Sequence, residues 1–259
     1  MSGDWAEVGD GVFARRYQPW DVTVGVVVGT AGVMVVDTRS TAAEGEQLRT
    51  DVRRLDPRAP RWVVNTHDHF DHVAGNLAFT GPGAEAGLWG HPSLAATVSP
   101  PPSHPVERAV NVDLGDRTVV LRHLGPAHTA GDVVVTVAGA GVTFAGDLVE
   151  ESGPPSYGDD SFPLEWPLAA ARLVGLLREG DRVVPGHGRV VDRGFVVAQQ
   201  RALAEAARAV RDLWVGEVPV DGAVEEARAR WPFPPTFVAA AVRRAYALLD
   251  LSAQRGSGR

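Results

Sequence analysis

Residues Trp62 to Asn76 read Trp-Val-Val-Asn-Thr-His-Asp-His-Phe-Asp-His-Val-Ala-Gly-Asn, and this stretch limits the folds open to the chain more than any other. A short β-prone run, Trp62 to Val64, ends in three histidines and two aspartates within six residues. Neither a core strand nor an ordinary surface turn needs that density of polar donors, so the cluster reads as a metal site. On an extended backbone His67 and His69 are two apart and share a face, whereas Asp71 and His72 are adjacent and diverge. The segment can therefore serve two neighbouring cations. Five residues cannot close two tetrahedral sites, so the fold must deliver further ligands from elsewhere in the chain.

Three later motifs supply them. Gly-Pro-Ala-His128-Thr-Ala-Gly-Asp132, Phe-Ala-Gly-Asp147 and Pro-Gly-His187-Gly each set one ligand-type residue among small residues, where a backbone can bend and approach a site closely. With Thr66-His-Asp-His-Phe-Asp-His72, these four motifs in this order resemble the metallo-β-lactamase-fold hydrolase superfamily over about the first four fifths of the chain. The resemblance implies an α/β, four-layer αββα sandwich of two mixed β-sheets with helices on the outer faces. It also implies that His67, His69 and His128 hold one divalent metal, that Asp71, His72 and His187 hold a second, and that Asp147 bridges them. Zinc is the first expectation, iron the alternative. A shared carboxylate lets two dications sit at roughly 3.5–4 Å, where a water between them is ionised near neutral pH. Asp71 and Asp147 are the residues expected to act most directly in the reaction, Asp71 by orienting the nucleophile. Asp37 and Asp132 are candidate acceptors that fix ligand tautomers. His91, His104 and His123 lie in no matching motif and read as ordinary surface or core histidines.

The 259 residues suit one large domain or a domain with an appendage. Strands are expected over Val12–Arg16, Val22–Gly29, Gly32–Thr38, Trp62–Asn65, Gly87–Gly90, Ala109–Leu114, Thr118–Leu124, Val133–Ala138, Val142–Ala145 and Arg182–Val184. Helices are expected over Thr41–Leu55, Ala74–Phe79, Trp166–Leu177 and Phe195–Trp214. Pro100 to Pro105 reads as a loop. After His187 the chain turns Ala- and Arg-rich, with Val224–Trp231 and Pro235–Leu251 helical about Pro232-Phe-Pro-Pro235. Residues 1–215 thus form the expected sandwich and 216–259 a helical appendage, whose role as a lid, a homodimer contact or a cover for the core stays open.

The net charge of −7 gives no general affinity for nucleic acid or an anionic membrane. Hydrophobic content of 44% and charged content of 22% are globular values. Without cysteine, any metal is held by nitrogen and oxygen, and neither disulfides nor a thiol nucleophile are available. Met-Ser-Gly-Asp-Trp-Ala-Glu has neither the basic start nor the apolar stretch of a signal peptide, and no later run reaches membrane length, so a soluble cytoplasmic protein is expected.

The favoured reaction is hydrolysis of a small-molecule ester, thioester or lactone, similar to the glyoxalase II and lactonase branches. An iron persulfide dioxygenase, a β-lactamase and a non-catalytic scaffold on the same fold are the alternatives. Against a β-lactamase, the residue after Asp71 is His72, and all 25 basic residues are Arg, so no Lys is present to anchor a substrate carboxylate. The loop from Glu150 to Trp166, with Tyr157, Asp159, Asp160 and Phe162, leaves directly from Asp147 and is expected to wall the substrate pocket. Trp20, between two early strands, is a further candidate wall.

Overall fold

The computed structural model describes residues 4–81, 83–84, 86–137 and 139–257. Met1 to Gly3 of the N-terminal stretch, Ala138 at the end of one expected strand, and Gly258 and Arg259 of the appendage lie outside the described residues.

The first sheet contains β1 (Ala6–Gly9), β2 (Val12–Tyr17), β3 (Val22–Gly29), β4 (Gly32–Val36), β5 (Pro60–Val64), β6 (Gly87–Gly90) and β7 (His104–Pro105). β1 to β4 pair antiparallel in sequence order, and β4 to β7 continue in parallel. The second contains β8 (Ala109–Asp113), β9 (Thr118–His123), β10 (Val133–Val137), β11 (Val142–Glu150), β12 (Arg182–His187) and β13 (Val191–Asp192). Its pairings are antiparallel except for the parallel β11–β12 ladder. The two sheets touch edge to edge at one residue pair, His187 opposite Val22, so the joint lies beside a proposed ligand.

β3 and β4 are buried on both faces, which is why they read as continuous Val-rich runs rather than alternating ones. Met34 and Val36 face the second sheet, packing with Leu121, Val135, Phe144 and Val184. Val33 and Val35 face outward against Leu48 and Val52 of α1 (Ala42–Leu55), whose N-terminus is capped by Thr41. Each such fully buried side chain contributes roughly 1.5–3 kcal/mol. On the far side, α4 (Trp166–Leu176) and α5 (Arg193–Val215) cover the second sheet through Trp166, Leu173, Val196 and Leu203. Helix, sheet, sheet and helix form the four expected layers, with α2 (Phe70–Val73) and α3 (Leu77–Thr80) beside the junction loop.

Three departures from the sequence reading have local causes. β11 does not stop at Ala145; it passes through a register shift at Gly146, which has φ +53°, and runs to Glu150. Asp147 therefore sits on a bulged strand rather than a loop, a placement that re-aims a side chain at a site. The Pro-rich segment contributes β7, because an edge strand tolerates proline. In the C-terminal region α6 (Val220–Arg228) begins earlier than expected, directly after Pro219, and α7 spans Val238–Ser257. Both pack onto α5 through Val210, Leu213, Val224 and Val242, while Trp231 and Phe233 reach the cluster beneath α4. No helix among the described residues is long and apolar enough to cross a membrane.

Candidate metal centre

The carboxyl ends of β4, β5 and β12, the bulge in β11 and the turn between β9 and β10 meet at one end of the sandwich. Asp37 follows β4, and the loop from Asn65 to His69 follows β5. His128 lies in the 124–132 turn, Asp147 on β11 and His187 at the end of β12. Two sets of donor atoms result: His67, His69, His128 and Asp147, and Asp71, His72 and His187, with the atoms of each set within 4.8 Å of one another. Asp147 joins the sets, its Oδ2 standing 3.4 Å from both His128 Nε2 and His187 Nε2 and its Oδ1 3.2 Å from His72 Nε2.

All five imidazoles of these sets have one ring nitrogen held by the protein, and four of those partners are pure acceptors. His72 Nδ1 donates to Asp37 Oδ2 (2.8 Å) and His69 Nε2 to Asp160 Oδ2 (3.0 Å). His128 Nδ1 donates to the Ser156 carbonyl (3.1 Å) and His187 Nδ1 to the Trp20 carbonyl (2.9 Å). His67 Nδ1 lies 3.1 Å from Thr66 Oγ1, which itself donates to Asp37 Oδ2 and so serves the ring as an acceptor. A carboxylate or carbonyl cannot donate, so the proton stays on the outer nitrogen and a lone pair points inward. The inward nitrogens come close: His69 Nδ1 and His128 Nε2 are 2.9 Å apart, His72 Nε2 and His187 Nε2 3.3 Å. Lone pairs at that range require positive charge between them.

Two further observations fit metal ions. His67 Nε2 and Asp147 Oδ1 are buried with no hydrogen-bond partner, a costly state for polar atoms that a cation relieves. At Gly186 a Cβ would collide with Asp147 Oδ1, so glycine in Pro-Gly-His187 makes room for the carboxylate. The donor set of imidazole nitrogens and carboxylate oxygens suits borderline divalent ions.

Electrostatics divides the rings. Burial holds His67 well below the ordinary histidine range and lowers His128 to about 4, keeping both neutral. Burial also opposes charging of His72 and His187, but Asp147 outweighs it, lifting His72 well above the usual value with help from Asp37 and His187 to about 9. Burial works to protonate Asp147, yet the surrounding rings, His72 first, hold its carboxyl far below the usual range.

The remaining sequence expectations fare differently. Asp37 is buried where a tautomer-fixing acceptor must be, receiving Thr66 N at Oδ1 and both Thr66 Oγ1 and His72 Nδ1 at Oδ2, each at 2.8 Å. The expectation for Asp132 needs correction. Its carboxylate accepts from Thr129 N and Thr129 Oγ1 and bonds no ligand ring, so it shapes the turn that carries His128. Burial raises its pKa to about 7. Tyr157 is likewise corrected: it is 4% exposed and packs edge-on against Trp166 and Trp231, a core residue rather than a pocket wall. Phe162 is half-buried, its N–H bonded to the Ala127 carbonyl beside His128 and its ring under the Arg244 guanidinium. Trp20 is exposed at the β2–β3 hairpin tip, edge-on to the exposed Phe70 ring at 5.0 Å. Asp160, expected only as part of the pocket wall, is the partner of His69. Being an acid in the loop leaving Asp147 was its one available signal.

Comparisons with known proteins identify the family and the fold. Residues 17–187 match the family described as the Metallo-beta-lactamase superfamily. A metallo-beta-lactamase type 2 from Bacillus sp. (strain 170) is 26% identical over 183 residues, 67% of this chain and 69% of the relative. One from Bacillus cereus is 25% identical over 203 residues, 74% and 76% of the two chains. Among solved structures, a metallo-beta-lactamase from Pontibacter korlensis superposes with a TM-score of 0.68 at 23% identity, covering 77% of this chain and 98% of that one. The mono-zinc form of FIM-1 from Pseudomonas aeruginosa gives a TM-score of 0.68 at 22% identity, over 80% and 96%. The two structures share the fold. The family match spans all the converging histidines and aspartates, and this chain belongs to the metallo-beta-lactamase superfamily.

Proposed function

We propose that the protein is a dinuclear metal-dependent hydrolase that cleaves an ester, thioester or lactone in a small molecule. The observation that carries this reading is the set of seven side chains, four and three, whose inward atoms are free to bind while their outer nitrogens are held. His67, His69 and His128 would hold one ion and Asp71, His72 and His187 the other, with Asp147 within reach of both sets. Zinc is the metal that this nitrogen and oxygen set suits best. Such ions, when bound, polarise a carbonyl and make water available as hydroxide near neutral pH.

The chain's own residues supply positioning. Asp37, Asp160 and the Ser156 and Trp20 carbonyls fix the rings so that each presents a lone pair. Asp71, 3.4 Å from His187 Nε2 through one oxygen, keeps its other oxygen as an acceptor that orients the attacking group. Trp20 and Phe70 form an apolar rim at the mouth, against which a substrate's hydrocarbon part lies. Residues 1–215 are the catalytic unit and 216–259 an appendage whose helices cover α5, packing on Val210 and Leu213 through Val224 and Val242.

The Bacillus relatives carry the name metallo-beta-lactamase, which favours β-lactam hydrolysis as a second reading. A panel of esters, thioesters, lactones and a chromogenic cephalosporin, run with and without chelator, separates the two. Chelator-sensitive turnover of a non-lactam substrate, abolished in Asp147→Asn, is the expected result. Turnover of the cephalosporin alone would select the second reading, and full activity in Asp147→Asn would reject both.

A further inference from the structure

Two of the three rings in the first set are oriented by a single loop. Between the end of β11 and the start of α4, residues 151–165 form no helix or strand. From this loop the Ser156 carbonyl accepts from His128 Nδ1 at 3.1 Å, and the Asp160 carboxylate accepts from His69 Nε2 at 3.0 Å. Near Asp160 its internal bonds close one tight turn, in which Ser161 N and Oγ both donate to the Gly158 carbonyl. A connection this long takes its shape from what it packs against.

Part of that support comes from the sandwich. Phe162 N donates to the Ala127 carbonyl at 2.8 Å, which ties the loop to the turn carrying His128. The C-terminal appendage holds the loop at two further points. Arg244 of α7 donates through Nε to the Ser161 carbonyl at 2.8 Å, and its guanidinium lies 5.5 Å from the centroid of the Phe162 ring. Ser161 is fully buried and directly follows Asp160, so this bond fixes the backbone one residue from the partner of His69. Trp231 meets Tyr157 edge-on with centroids 6.1 Å apart, one residue past Ser156. α7 is itself anchored, because Ala241, Val242 and Ala245 are fully buried and the Tyr246 hydroxyl donates to the Val218 carbonyl. Arg244 therefore projects from a fixed base.

We propose that the C-terminal appendage clamps the loop that orients the first set of rings, with Arg244 as its positioning residue. By holding Ser161, Arg244 keeps Asp160 on His69 and, through the same loop, the Ser156 carbonyl on His128. The inference rests on the hydrolase reading only for the ion that His69 and His128 would hold; the grip on the two rings is measurable without turnover.

The test uses the full-length, zinc-loaded protein. Arg244→Met keeps the side-chain length and removes the donor, whereas Arg244→Gln returns an N–H at the position of Nε. Arg243→Met is the control, since the partner of Arg243 is Asp221, within the appendage. In nitrogen-15 NMR spectra the ring protons at His69 Nε2 and His128 Nδ1 should exchange with water about tenfold faster in Arg244→Met, while that at His72 Nδ1, held by Asp37, stays within about twofold. Zinc affinity, from competition with a chromophoric chelator, should fall about three- to tenfold, less than the roughly 10- to 100-fold of losing an outer partner outright. Arg244→Gln and Arg243→Met should both stay within about twofold of the parent. Unchanged ring-proton exchange in Arg244→Met, an equal loss in Arg244→Gln, or acceleration at His72 as large as at His69 would overturn the proposal. Should Arg244→Met fail to fold, the parent protein decides: in dilute urea the His69 and His128 ring protons should open as one unit with the Phe162 N–H and the α7 amides, and separate opening would overturn it. A parent chain that binds no zinc would count against the hydrolase reading instead, and the same exchange measurements on the metal-free chain then decide the clamp.

Discussion

Replacing Asp37 by asparagine changes one atom and leaves the backbone undisturbed, since Asp37 has φ +65° and asparagine accepts that conformation far better than alanine. The carboxylate takes three hydrogen bonds of 2.8 Å, from Thr66 N, Thr66 Oγ1 and His72 Nδ1. An asparagine amide oxygen can still accept from Thr66 N, and the Thr66 hydroxyl can turn to accept from the amide. His72 has no such remedy. The amide donates where the carboxylate accepted, so the His72 proton moves to Nε2, the nitrogen that faces the metal centre. Loss of an outer partner of this kind lowers metal affinity about 10- to 100-fold, which is about 1.4–2.8 kcal/mol. The metal-free fold loses about one charge-assisted hydrogen bond, roughly 1.5–3 kcal/mol.

A competition titration against a chromophoric chelator reads the first quantity, and urea unfolding of the metal-free protein the second. The weakening should be largest at the set containing His72 and smaller at the set of His67, His69 and His128, where the turned Thr66 hydroxyl still lies beside His67 Nδ1 but no longer donates to residue 37. Unchanged affinity in Asp37→Asn, within about twofold, would refute the tautomer argument.

Three other perturbations have defined outcomes. Gly186→Ala drives a Cβ into Asp147 Oδ1 and should displace the shared carboxylate, lowering metal content and stability by about 1–3 kcal/mol, read by elemental analysis and thermal unfolding. In the metal-free chain His187 has a pKa raised from 6.5 to about 9, so its protonation stabilises the fold fully below 6.5 and that contribution is lost as the pH rises through about 9. Metal must displace that proton and the one that His72, raised likewise, carries, so affinity at the second set should rise by about one to two decades per pH unit between about pH 7 and about pH 9, measured by zinc titration at several pH values. Trp20→Ala and Phe70→Ala each remove half of an exposed edge-on pair and should raise KM about three- to tenfold at little cost in stability, checked by steady-state kinetics against unfolding curves.

Much of the centre could be read from the chain because metal ligands are side chains of few types. His67, His69, Asp71 and His72 announce themselves by density, and His128, Asp147 and His187 by standing as lone donors among glycine, alanine and proline. What holds those ligands was largely illegible. The Ser156 and Trp20 partners act through backbone carbonyls, which any residue provides. Asp132 misled because spacing along a turn does not say whether a carboxylate bends toward a ring or back onto its own loop, and the nearby Thr129 N–H and hydroxyl capture it. Strand patterning located nearly every ladder, but a run of apolar residues ends in sequence where polar site residues begin. The continuation of β11 through Gly146 to Glu150 was therefore hidden, and with it the fact that Glu150 is buried. β1 and β13, each of four residues or fewer, are too short to carry a periodic signal.

Metal content bears most directly on whether His67, His69 and His128 on one side, and Asp71, His72 and His187 on the other, share Asp147 between two ions. Protein purified without chelator and then equilibrated with zinc should hold about two equivalents per chain, both lost to strong chelation together with hydrolytic activity. A single equivalent of tightly held iron that zinc cannot replace, or a chain that binds less than about half an equivalent of any divalent metal, would contradict the dinuclear centre.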